Sequence, residues 1–196
     1  MKTRPYHHGD LRAALLARAE RMLRDKGPGA LSLRELARGI GVSHAAPSRH
    51  FKDKQALLDA LALEGFGRLA AVMTAAREEA GGSFADRMVA VGRAYVGFAT
   101  DNAVLLDLMY AVKHDPAASR ELTDASYWLA GFAMRMIEDG QRTGEVREGP
   151  AERIGLPVMS ALHGFAALVV SGALHTEEID QGLADTVGFI LRGCAP

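Results

Sequence analysis

Apolar residues recur along most of the chain with the 3.6-residue period of an α-helix. The clearest stripe is Leu33, Leu36, Ala37 and Ile40, spaced i, i+3, i+4 and i+7. A comparable face is carried by Leu11, Leu15, Ala19, Met22 and Leu23. No stretch alternates convincingly with period two, and Val169-Val170 is too short for a strand and lies in a helical stripe. The pattern predicts helices over 10–26, 32–40, 43–51, 54–80, 84–99, 102–112, 117–143, 151–173 and 177–192. The fold class is therefore all-α, with about nine helices and no internal repeat.

Punctuation places the helix ends. Asp10 can cap the first helix, which stops at Lys26-Gly27-Pro28-Gly29. Ser32, with Glu35 three residues later, reads as a capping box for the second. Gly41-Val42 makes a turn, Ser43 is the next N-cap, and Asp53 caps a long fourth helix. Pro47 counts as only the fourth residue from Ser43, early enough in a helix to be tolerated. Gly81-Gly82-Ser83, Asp115-Pro116 and residues 144–150 are the later breaks.

Net charge sharpens this picture only once the chain is divided. Over 196 residues, 23 Lys+Arg against 24 Asp+Glu leave a formal charge of −1, which excludes a uniformly cationic protein. Residues 1–55, however, hold 12 basic and 5 acidic residues, a surplus of +7. The remaining 141 residues hold 11 and 19, or −8. A small basic module on an acidic body is the electrostatic footprint of nucleic-acid binding. The composition is that of a globular chain, 48% hydrophobic and 24% charged. One cysteine, Cys194, allows no internal disulfide and fits a reducing, cytoplasmic setting. No unbroken apolar run approaches the ~18 residues of a membrane span. Nothing in the basic segment has metal-ligand spacing. The His7-His8 pair lacks a partner ligand and reads as part of an arm, and no cofactor motif is present.

Within 32–51, a capped helix, a turn with glycine and a second capped segment form a helix-turn-helix pattern. The second segment presents small or polar residues, Ser43, His44, Ala45, Ser48 and Arg49, as entry into a major groove requires.

Residues 9–61 resemble the DNA-binding domain of TetR-family transcriptional regulators. The resemblance rests on Gly9-Asp10-Leu11, Leu33-Arg34-Glu35-Leu36-Ala37, Gly41-Val42-Ser43, Arg49-His50-Phe51, and the following Lys54, Leu57 and Leu58. Tyr6-His7-His8-Gly9-Asp10, Ala45-Ala46-Pro47 and the later Leu162-His163-Gly164 resemble a subgroup with a Trp-His-Gly motif, where this chain has Leu162 for the Trp. Ser48 likewise stands where the family usually carries a Tyr, so the resemblance implies a lost or water-mediated phosphate contact there.

The resemblance implies a helix-turn-helix domain over 1–55 and a helical effector-binding and dimerisation domain over 56–196. It implies a non-enzymatic, ligand-responsive regulator, most simply a repressor released from a palindromic operator by a small apolar or aromatic effector. Ser32, Ser43 and His44 are expected to meet phosphates, His44, Ala45 and Arg49 base edges, and Lys54 and the arm residues Lys2, Arg4 and His7 the backbone. His50 reads equally as a DNA contact or a packed neighbour of Phe51. Tyr95, Phe98, Met109, Tyr110, Trp128, Phe132, Met136, Met159 and His163 are candidate effector-pocket residues. A dimer interface is expected from Ile154, Val158, Ala161, Leu162, Phe165, Leu168 and Val169, with Ile179, Leu183, Val187, Ile190 and Leu191. The competing classes are a small helical enzyme using His163 with Asp107 or Asp115, and a helical adaptor without DNA binding. No nucleophile–base spacing, phosphate loop or metal motif supports the enzyme, and the adaptor leaves the capped 32–51 block and the +7 segment unexplained.

Overall fold

A computed structural model describes residues 8–196, with side chains from Leu11 onward. Among the described residues there are eight α-helices and no strand. They are α1 (His8–Lys26), α2 (Leu33–Ile40), α3 (Lys54–Glu79), α4 (Phe84–Asp101), α5 (Ala103–Val112), α6 (Arg120–Arg142), α7 (Ala151–Val170) and α8 (Thr176–Cys194). Two 3₁₀ turns, Pro28–Ala30 and Pro47–Arg49, complete the set. The first helix begins at His8, ahead of the cap expected at Asp10.

By packing, the chain divides into two compact units. One runs through Phe66 and includes Val104–Thr123; the other comprises Gly67–Ala103 and Asp124–Pro196. The core of the first unit is Leu15, Leu16, Ala19, Leu23, Leu36, Ala37, Phe51, Leu57 and Leu61, all buried. The helical stripes expected for α1 and α2 thus supply most of it. Helix α5 packs on α3 where Gly65 leaves room, since a Cβ there would sit 2.5 Å from Met109 Sδ. Asp59 of α3 is buried at 7% exposure yet fully satisfied. Its carboxylate accepts the Gln55 amide at 2.8 Å and the Ser119 N–H at 2.9 Å, tying α3 to the start of α6.

In the second unit α4, α7 and α8 pack on one another around Met88, Val91, Tyr95, Leu162, Phe165 and Val187. Gly140 permits a tight turn at the end of α6, because a Cβ would meet Val146 at 2.5 Å and Phe84 at 3.1 Å. Glu145 caps α4: it accepts the Phe84 N–H at 3.0 Å and the Thr143 hydroxyl at 2.7 Å. Those two donors hold its pKa below the ordinary glutamate value. Asp139 bridges Arg77 and Arg142, joining α3 and α6 within this unit.

Helix α7 departs from the sequence expectation in one respect. It is long and apolar enough, by length and composition, to cross a membrane. No single run showed this because Pro157, Ser160 and His163 interrupt it without adding charge.

Candidate DNA-reading head

The head is assembled around the turn after α2. Ser32 caps that helix by accepting the Glu35 N–H at 3.1 Å. The reciprocal half of the expected capping box is not made; the Glu35 carboxylate pairs with Arg38 instead. At the other end Gly41 adopts φ 72°, ψ 32°, the left-handed conformation in which a side chain is strained. Val42 N–H reaches back to the Ala37 carbonyl at 3.1 Å and Gly41 N–H to Arg38 at 3.4 Å, the paired bonds of a Schellman stop.

The segment beyond differs from the short α-helix expected over 43–51. It is a turn followed by the 3₁₀ helix Pro47–Arg49. Ala46 bonds Ser43, Arg49 bonds Ala46 and His50 bonds Pro47, each three residues back. Pro47 has no N–H to give the Ser43 carbonyl, so the first α-helical bond cannot form and the chain tightens. Ser43 therefore does not act as a side-chain cap.

The faces nonetheless separate cleanly. Pro47 and Phe51 are buried, four residues apart, whereas Ser43, His44, Ala45, Ser48 and Arg49 are exposed. Phe51 anchors the segment and carries the Arg12 guanidinium 5.6 Å from its ring centroid. His50 is half-buried beside it, ring centroids 6.5 Å apart, which places it in packing contact. Lys54 is exposed and reaches the Gly29 carbonyl at 3.5 Å. Lys2, Arg4 and His7 lie outside the described residues.

The nine candidate effector residues are divided between the units: Met109 and Tyr110 in the first, the others in the second. Tyr95 and His163 share a hydrogen bond of 2.7 Å between Oη and Nδ1. Trp128 and Phe132 stack at 4.9 Å, and Arg77 lies 6.0 Å from the Phe132 ring. Phe98, Phe132 and Met136 are buried, Met159 is half-buried and His163 is exposed. A groove of about 440 Å³ in the first unit, lined by Arg12, Lys52, Asp59, Leu63, Ser119 and Glu121 among others, includes none of the nine. Among the described residues no group of three His, Cys, Asp or Glu side chains could hold a metal.

Burial also re-sorts the expected dimer residues. Ile154, Val158, Leu162, Phe165, Val169, Leu183, Val187 and Ile190 are buried within the single chain. Ala161, Ile179 and Leu191 are half-buried, and only Leu168 of the twelve is exposed. The exposed face of α7 runs instead through Leu156, Ser160, His163, Gly164, Ala167 and Leu168, and α8 adds Phe189. Periodicity found the apolar stripe but could not tell an inward face from an outward one on a helix apolar on both sides.

Comparison with known proteins decides the family. The model "Bacterial regulatory proteins, tetR family" matches residues 15–61, and "Tetracyclin repressor-like, C-terminal domain" matches 88–189. The chain belongs to the TetR family of transcriptional regulators. It is 30% identical over 167 residues to the transcriptional repressor Rv1474c of Mycobacterium tuberculosis, covering 85% of this chain and 86% of that one. The M. tuberculosis regulator Rv1816 is 28% identical over 140 residues, and the match spans 60% of its length. A solved Rhodococcus sp. RHA1 structure of unknown function is 44% identical with a TM-score of 0.92, covering 99% of this chain and 100% of that one. A TetR-family regulatory protein from Rhodococcus RHA1 has 27% identity and a TM-score of 0.74, covering 95% and 98%. Family membership makes this a helix-turn-helix DNA-binding regulator, in a family whose members are generally not enzymes.

Proposed function

We propose that the protein is a cytoplasmic, homodimeric repressor that leaves a palindromic operator when a small apolar or aromatic effector binds. Residues 1–55 read DNA and 56–196 hold the effector and the partner copy. The observation that carries this reading is the exposed set His44, Ala45, Ser48 and Arg49, which follows the Gly41 turn on the most basic part of the chain. Arg49 is the residue suited to a bidentate guanine contact. Two such heads related by a two-fold axis require an inverted-repeat site.

The exposed α7–α8 face supplies the contact for the second copy. Leu156 and Phe189 are 66% and 67% exposed, and Ser160, Gly164 and Ala167 between them let helices approach closely. Effector and operator then oppose one another through linkage: whatever lowers operator affinity must itself bind more weakly to the DNA complex. Selection of bound duplexes from random-sequence DNA tests the operator claim. Recovery of inverted repeats supports it, and recovery of single asymmetric sites contradicts it.

A further inference from the structure

The groove in the first unit belongs neither to the reading face nor to the candidate effector residues. It encloses about 440 Å³, within the range of small-molecule sites. Its lining is ordered along the start of α3. Ala56, Ala60 and Leu63, at i, i+4 and i+7, make an apolar strip on that helix, and Ala117 adds to it from the segment before α6. Two cations line the end nearest the reading segment: Lys52, just ahead of α3, and Arg12, placed there by its contact with the Phe51 ring. About two turns further along α3 the lining is acidic, with Asp59 and Glu121 near the point where the Ser119 N–H meets Asp59. Asp53 also borders the groove, but its carboxylate is engaged in capping α3 through the Ala56 N–H at 2.8 Å.

Asp59 decides what the groove can hold. It is only 7% exposed, and the donors on its two oxygens, the Gln55 amide and the Ser119 N–H, carry no charge. A carboxylate this buried is ordinarily matched by a cation. Among the described residues no ion pair engages it, although Arg12 and Lys52 line the same groove. Each of its oxygens can accept a second hydrogen bond.

We propose that the groove binds a small zwitterion, an ω-amino acid lying along α3. Asp59 and Glu121 take its ammonium, Ala56, Ala60 and Leu63 its hydrocarbon body, and Arg12 and Lys52 its carboxylate. The site is separate from that of the effector described above and does not depend on it. A purely apolar compound would leave the Asp59 charge uncompensated. A diamine would set its second ammonium against Arg12 and Lys52, and a diacid would set a carboxylate against Asp59 and Glu121. From residue 53 to residue 60 the helix covers about 10 Å, which suits an extended chain such as that of 8-aminooctanoate. Inside the groove both charged ends gain from a lower local dielectric than water offers.

The test is isothermal titration calorimetry on the full chain with 8-aminooctanoate, octanoate and octylamine. The zwitterion should bind at least about tenfold more tightly than either single-ended compound, the difference one charged hydrogen bond confers. Asp59→Asn should bring its affinity down to that of octanoate, and Lys52→Met should lower it toward that of octylamine. Ala117→Trp, at an exposed position on the groove, should abolish binding by filling the space while leaving thermal unfolding and operator binding unchanged. If Asp59→Asn does not fold, Glu121→Gln carries the same test at an exposed position, with a several-fold loss expected. A zwitterion no tighter than octanoate or octylamine, or one that keeps its affinity in Ala117→Trp, would overturn the proposal. So would failure of all three compounds to bind a protein that still binds its operator, an outcome that leaves the regulator reading intact. If Lys52→Met lowered DNA affinity and its salt dependence but not affinity for the zwitterion, Lys52 would be a phosphate contact and the proposal would be wrong.

Discussion

Arg49 and Cys194 show how exposure decides what a reactive or charged side chain does. Arg49 is exposed on the reading face with no carboxylate engaged by it among the described ion pairs, so its guanidinium is available to a base edge. Arg49→Ala should reduce preference for the operator over random DNA by about 1–3 kcal/mol while leaving non-specific binding nearly unchanged. Equal loss on both DNAs in an anisotropy titration would move Arg49 to the phosphate group. Cys194 is the opposite case. It is buried at the end of α8, and that burial raises its pKa despite the nearby Arg147. The thiol should therefore react slowly with a disulfide reagent at neutral pH in the native protein and rapidly after denaturation; fast native labelling would contradict its burial.

Helices are where the sequence was most and least informative. The boundaries of α2 were legible because each has a local chemical cause: a serine cap, an acidic first turn and a glycine free to adopt positive φ. Ser32→Ala should cost about 1 kcal/mol of stability by denaturant unfolding. The segment over 43–51 departs from its expected geometry. By position Pro47 is an acceptable early helical residue, yet its missing N–H and buried ring leave a 3₁₀ turn. The face of α7 was the hardest to assign, since burial on a doubly apolar helix depends on partners that periodicity does not name. Glu145 was invisible for a related reason: its role needs Phe84, 61 residues away. Because its folded pKa is depressed, its contribution is complete above the ordinary glutamate range and disappears as pH falls through the folded value. Glu145→Gln should accordingly melt at a lower temperature than the unaltered protein near pH 7, with the gap closing below about pH 4. A gap independent of pH would show that the carboxylate charge is not what matters.

For the whole molecule, DNA binding rests on the charge division and assembly on the exposed α7–α8 face. Phe189→Glu, at an exposed position, should leave the fold intact but shift the protein to monomers in sedimentation, and weaken operator binding with it. Val187→Glu, two residues away and buried, should unfold the chain instead. A folded dimer with glutamate at 189 would place the interface elsewhere. A basic segment that reads DNA beside an acidic body that stays clear of it should bind in a steeply salt-dependent way. Titration of operator duplex at a series of salt concentrations tests this most directly. Binding should be tight at low salt, with a log–log slope of several units, about −0.9 for each phosphate contacted. Absence of binding at low salt, or a slope near zero, would contradict it.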